Sequence, residues 1–149
     1  MKFKKIRIVN LSKTQLDYII NGVKVTFFAN GWPELQNRKL LTNNLYIADL
    51  KTLAIMKINT LFIMAKYRDY YDLYTLNKTN FPLPELYQMA LMKINNLSKT
   101  LFQKALIYTD DIDDEKIEHL SPKEKISLKE MEKHFSKEIK KWNKLLDPQ

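Results

Sequence analysis

Lys57, Arg68, Asp69 and Asp72 are the side chains of this sequence whose types and spacing could do chemistry. Lys57 sits inside the apolar run LKTLAIMKINTLFIM. The other three follow in AKYRDYYDLY, where Lys66, Arg68, Asp69 and Asp72 are set among four tyrosines. On a helix Lys57 falls seven residues after Leu50, four after Leu53 and three after Ala54, which places it in the apolar stripe. A lysine there either runs its stem along the core and carries its ammonium to the rim, or points into a cleft to hold an anion such as a phosphate. The spacing leaves both open.

Arg68 and Asp69 lie eleven and twelve residues beyond Lys57. On one straight helix eleven residues span about 16 Å, so these groups can share a ligand only if the chain breaks between them. Asp69 and Asp72 then fall in the first turn of the next helix, where the helix dipole favours carboxylates. Two readings follow. The pair caps that helix and forms a salt bridge to Arg68 or Lys66, or Asp69 orients Lys57 or a substrate hydroxyl.

The elements that must position these residues read as an α+β fold, a small antiparallel sheet followed by an α-helical bundle in one compact domain of 149 residues. Residues 1–30 read as three strands: IRIV, then TQLDYII and VKVTFF around Asn21-Gly22, a pair suited to the positive φ of a tight hairpin turn. Residues 31–48 read as a connecting loop, opened by Gly31-Trp32-Pro33. Residues 49–149 read as helical, with Asp49 capping a helix to about Met64. Further helices are expected from Asp69 to Leu76, at 84–95 and at 98–108. A last helix starts in SPKE with Ser121 as its cap, Pro122 next and Glu124 completing a capping box. Its apolar face is Leu128, Met131, Phe135, Ile139, Trp142 and Leu146.

Composition bounds the function. There is no cysteine, which excludes disulfides and thiolate metal sites. The net charge of +8 favours polyanion partners, nucleic acid first. Lys2, Lys4, Lys5, Arg7 and Lys13 concentrate part of that charge near the start, and with Tyr67, Tyr70, Tyr71 and Tyr74 they suggest a surface for single-stranded nucleic acid. The rings equally suit core packing with the hydroxyls at the surface. MKFKKIRIVN lacks the apolar core of a secretory signal, and the run from Leu53 to Ala65 is too short and too polar to span a bilayer. A cytoplasmic protein with no membrane partner is expected. Asp111-Ile112-Asp113 is an acidic loop rather than a metal pair, and His119 and His134 are surface or cap residues. In the last helix, glutamates interleave with the lysines, which favours packing onto the domain over a membrane surface.

DLKTLAIMKINTLFIMAKYRDYYDLYTL resembles the later motif of the AbiEii/AbiGii-type nucleotidyltransferases, the toxin family of abortive-infection toxin–antitoxin systems. Lys57, Arg68-Asp69 and Asp72-Leu73 match that motif in type and spacing. INGVKVTFFANGWPEL is similar to a hairpin that precedes it in one branch, and KALIYTDDIDDEKIEHLSPKEKISLKEMEKHFSKEIKKW to that branch's C-terminal end. The resemblance implies transfer of a nucleotide from an NTP to an acceptor such as RNA. It assigns nucleotide binding to Lys57 and Arg68, a catalytic role to Asp69, and support to Asp72 and Lys66. The sequence departs from the family at three places. Met64-Ala65 stands where members carry Arg-Gly. Thr26 stands where some carry a carboxylate. The Gly-Ser turn and Asp-x-Asp pair that open the family's catalytic site are missing, and nothing upstream of residue 14 is acidic. The expectation is therefore a truncated or split protein, inactive alone. Mg²⁺ and NTP would be used only with an upstream-encoded N-terminal half. An antitoxin or RNA is the other candidate partner, and a basic module that binds nucleic acid or a partner without catalysis is the alternative.

Overall fold

The computed structural model describes residues 5–28, 38–113, 117 and 121–146, the side chain of Leu146 excepted. Lys2, Lys4, Gly31-Trp32-Pro33 and His119 lie outside the described residues. The fold is α+β, and the chain divides into two compact units, 1–36 and 37–149, where one was expected.

The first unit is a three-stranded antiparallel meander in the order β1(Ile6–Leu11), β2(Gln15–Ile20), β3(Val23–Phe28). The hairpin turns where the sequence says it should. Asn21 and Gly22 have φ of 51° and 87°, so residues equidistant from the turn pair: Ile20 with Val23, Tyr18 with Val25, Asp17 with Thr26. Tyr18 and Phe27 meet edge to face. β1 is exposed along its length, and Ile6, Ile8, Val9 and Leu11 present apolar side chains to solvent, as do Val23, Phe27 and Phe28 of β3. The buried group of this sheet is Asp17, which accepts hydrogen bonds from Thr26 Oγ1 at 2.6 Å and from Gln15 Nε2, and meets Lys24 at 3.4 Å. The Thr26 hydroxyl first, and then Gln15, hold its pKa below the usual carboxylate value.

Over the described residues 38–48 of the loop expected at 31–48, the second unit forms strands instead. β4(Arg38–Thr42) pairs with β5(Leu45–Ala48) around Asn43-Asn44, with Asn43 at φ 38°. RKLLT and LYIA carry little local signal because they are short and their turn is Asn-Asn; asparagine tolerates the left-handed region without glycine.

Five helices follow. α1(Leu50–Leu61) is capped as expected, with Thr52 N–H donating to Asp49 Oδ1 at 2.7 Å. It ends three residues before Met64. Thr60 Oγ1 bonds back to Lys57 O, and Ile63 and Met64 leave the helix 75% and 72% exposed. α2(Tyr67–Thr79) is longer at both ends than expected; α3(Leu83–Leu91) and α4(Lys99–Ile107) are shorter. α3 starts after Pro82 with Pro84 in its first turn, where a missing N–H costs little, and α4 is capped by Ser98 on Leu101 N–H.

α5(Leu128–Leu146) begins later than SPKE suggested. Ser121 has a positive φ of 51° and no helix follows it directly. The capping box is Ser127 and Glu130 instead: Glu130 Oε2 accepts from Ser127 N–H at 2.8 Å, and Ser127 Oγ accepts from Glu130 N–H. The Ser127 N–H, and then the Ser127 hydroxyl, which also donates to Glu130 Oε2, hold the Glu130 pKa low. SPKE and SLKE both carry the box pattern, and the second wins because it starts the apolar face. Ser127→Ala is expected to cost about 1 kcal/mol, while Ser121→Ala leaves the urea midpoint unchanged; equal losses would restore the earlier start.

The core lies where the helices meet: Ile55 and Ile58 of α1, Leu73 of α2, Leu86 and Met89 of α3, Phe102 and Leu106 of α4, Met131 and Phe135 of α5. Tyr87, Phe102 and Trp142 form an aromatic cluster with centroids 5.4–6.4 Å apart, binding the end of α5 to α3 and α4.

Candidate functional site

The early end of α1 makes the site possible. Because the helix stops at Leu61 and α2 starts at Tyr67, the chain reverses and carries Asp69 back to Lys57. Lys57 Nζ lies 2.9 Å from Asp69 Oδ1 and 2.6 Å from Asp72 Oδ2. Asp69 is nearly buried, its side chain 8% exposed, whereas Lys57 is 25% and Asp72 44% exposed. Its second oxygen accepts from Lys66 N–H at 3.1 Å, so one carboxylate closes the start of α2 and grips the lysine. Burial pulls the Lys57 pKa down, but the hydrogen bonds it donates to Asp72 and Asp69 outweigh it and hold it above the ordinary value. The ammonium has three N–H groups. Two are taken by carboxylates, leaving one for a ligand oxygen.

Lys57 is placed on the flank of the α1 stripe rather than within it. The buried side is Thr52, Ala54, Ile55 and Ile58, while Leu50 and Leu53 are exposed. The salt bridges of Asp69 and Asp72 go to Lys57, not to Arg68, which is exposed. Lys66 contributes its backbone N–H. The predicted group therefore divides: Lys57, Asp69 and Asp72 come together, and Arg68 lies outside the cavity that Lys57 and Asp72 border.

That cavity has a volume of about 530 Å³, and Leu53, Lys57, Asp72, Thr75, Lys78 and Glu124 are among its walls. Its other polar end is a cluster missed in the sequence. Lys78 Nζ donates to Glu124 Oε2 at 2.7 Å and to Tyr74 Oη at 3.0 Å, and Tyr74 Oη lies 3.3 Å from both Glu124 oxygens. The Glu124 bond first, then Tyr74, raises the Lys78 pKa, and Lys78 in turn lowers that of Glu124. No local spacing could reveal this pair, because its members are 46 residues apart in the chain.

The tyrosines of AKYRDYYDLY now have a reason. Tyr67, Tyr70 and Tyr74 are buried, and their hydroxyls fasten neighbouring segments. Tyr67 donates to Ile126 O, Tyr70 to Ala105 O and Tyr108 O, and Tyr71 Oη accepts from Glu124 N–H. Burial, then the charge of Asp111, pushes the Tyr70 pKa up to about 12. These three rings are core, not a platform for nucleic-acid bases. Asp111 and Asp113 lie exposed on a non-helical turn, and Asp111 borders a second, apolar cavity beside Tyr70, Met64 and Tyr108.

His134 is half-buried rather than a surface residue. Asn77 Nδ2 donates to Phe81 O, which leaves Asn77 Oδ1 to accept from His134 Nε2 at 2.7 Å. The ring also meets Tyr74 edge to face. Burial, reinforced by Lys78, Lys141 and Lys137 and opposed by Glu138, lowers its pKa. The unfolded chain then binds more protons below about pH 6.5. Stability is expected to be full above that pH and to fall as the solution is acidified through the folded pKa. His134→Gln should flatten that limb in urea unfolding between about pH 5 and 7; an unchanged profile would assign the loss to other groups.

The chain is 29% identical over 145 residues to an uncharacterized protein of Aquifex aeolicus (strain VF5), a match spanning 95% of this chain and 68% of that protein. No protein-family model and no solved structure matches it. Among the described residues no helix is long and apolar enough to cross a membrane.

Proposed function

We infer that this chain is the nucleotide-gripping part of a nucleotidyltransferase-like protein of the AbiEii toxin type, incompetent for transfer by itself. The observation that carries the reading is Lys57, clamped by Asp69 and Asp72 at the wall of the 530 Å³ cavity. A lysine pre-oriented in this way offers a fixed positive charge and a free N–H to a phosphate oxygen, at less ordering cost than a mobile side chain. Asp69 acts as the positioning group, and Asp72 is the more exposed partner that a phosphate could displace.

The residues present do not fit a catalytic metal pair. Asp69 and Asp72 are compensated by the ammonium, and the described residues hold no group of three His, Asp or Glu side chains suited to a metal. Mg²⁺ ligands would come from a separate polypeptide, an upstream-encoded half. β1 and β3, the outer strands of the three-stranded sheet, offer such a half an edge to extend.

The test is calorimetric titration with ATP, GTP, CTP and UTP in Mg²⁺, beside Lys57→Ala. Binding that the substitution abolishes supports the reading. Failure of all four nucleotides to bind would leave the noncatalytic binding module as the account.

A further inference from the structure

The exposed side of α5 is a stripe of cations. Lys133, Lys137, Lys140, Lys141 and Lys144 line a groove of about 460 Å³. At ~100° per residue they lie within about 100° of one another, opposite the buried face of Leu128, Met131, Phe135 and Trp142. The glutamates that alternate with them in the sequence are each engaged, and one of them takes a member of the stripe. Glu130 is held in the capping box with Ser127, Glu132 accepts from Thr109 Oγ1, and Glu138 pairs with Lys141. Among the described residues, Lys141 is the one member of the stripe in an ion pair. Four like charges remain along eleven residues, about 16 Å of helix. Glu130, three residues before Lys133, partly offsets that end of the stripe, and the other lysines repel one another.

We propose that this lysine stripe of α5 is a binding surface for the phosphodiester backbone of single-stranded RNA. Regularly spaced ammonium groups act as point charges and suit a chain of evenly spaced phosphates read without regard to sequence. A lipid surface fits less well, because an interfacial helix must bury an apolar face in the bilayer. Here that face is already spent on the helical unit: Met131 and Phe135 are fully buried and Trp142 lies in the aromatic cluster. The stripe also replaces the surface expected around the tyrosines, whose rings are mostly enclosed. The proposal is independent of the nucleotide reading, since it requires nothing of Lys57.

The experiment is fluorescence anisotropy of a labelled, mixed-sequence single-stranded RNA with the full chain, across about 50–200 mM salt. Lys137→Gln, Lys140→Gln and Lys144→Gln are combined in one variant, which keeps the long side chains and the helix propensity. Each phosphate contact on a single strand contributes about 0.7 to the slope of log affinity against log salt, so the variant should lose about 2 from it. The corresponding triple arginine variant should keep the slope. An unchanged slope in the glutamine variant, no binding by the parent, or tighter capture by anionic vesicles would each overturn the proposal. If the glutamine variant does not fold, arginine variants with a weakened slope would do the same.

Discussion

Lys57→Ala is expected to destabilise the helical unit by about 2–3 kcal/mol, below the usual cost of breaking a fully buried pair because Lys57 remains one-quarter exposed. The loss comes from Asp69. With the lysine gone, a nearly buried carboxylate keeps one hydrogen bond, from Lys66 N–H, and has lost its counter-charge. Asp72→Asn should cost less than 1 kcal/mol, since Asp72 is 44% exposed and Asp69 still holds the lysine. The order Lys57→Ala well above Asp72→Asn, measured by urea unfolding, is the discriminating result; equal costs would show that Asp69 is not the dominant partner. The pH dependence has a definite sign. The folded pKa of Lys57 is raised, so its contribution is present in full below the unfolded value near 10.5 and is lost as pH rises through the folded value. The stability difference between the parent and Lys57→Ala should therefore be level at neutral pH and shrink only above that value.

The larger effect is expected at Phe102→Ala, about 3–5 kcal/mol. Phe102 is fully buried and touches both Tyr87 and Trp142, with centroids 5.4 and 6.4 Å away. Truncation removes the ring's transfer energy and leaves a hole walled by two other rings that helices α3 and α5 hold in place. Collapse into it would require moving a helix. Trp142 reports on the event directly, because its indole packs on the Tyr87 and Phe102 rings while Lys99 Nζ sits 4.6 Å from its centroid. The variant should show red-shifted Trp142 emission together with a lower thermal midpoint. A midpoint within a degree or two of the parent would mean that α5 is held chiefly by Met131 and Phe135.

Local chemistry in the sequence determined the Asn21-Gly22 turn and the register it imposes, the Asp49 cap, and the apolar face of α5. Each depends on residues within one turn or one hairpin, so spacing alone carries the information. The bond between Lys57 and Asp69 was legible as an alternative only, since twelve residues of chain can run straight or turn back. What decided it was tertiary: Thr60 bonding back to Lys57 O, the end of α1 at Leu61, and the capping of α2 by the same Asp69 that takes the lysine. The choice between SPKE and SLKE as the start of α5 was likewise settled by which one leads into the buried face. The pairing of Lys78 with Glu124, the hydroxyl bonds of the tyrosines and the bond from Thr109 to Glu132 all join segments far apart in the chain. No periodicity encodes them, because a side chain's partner across a bundle depends on how whole helices pack, and that is a property of the assembled core.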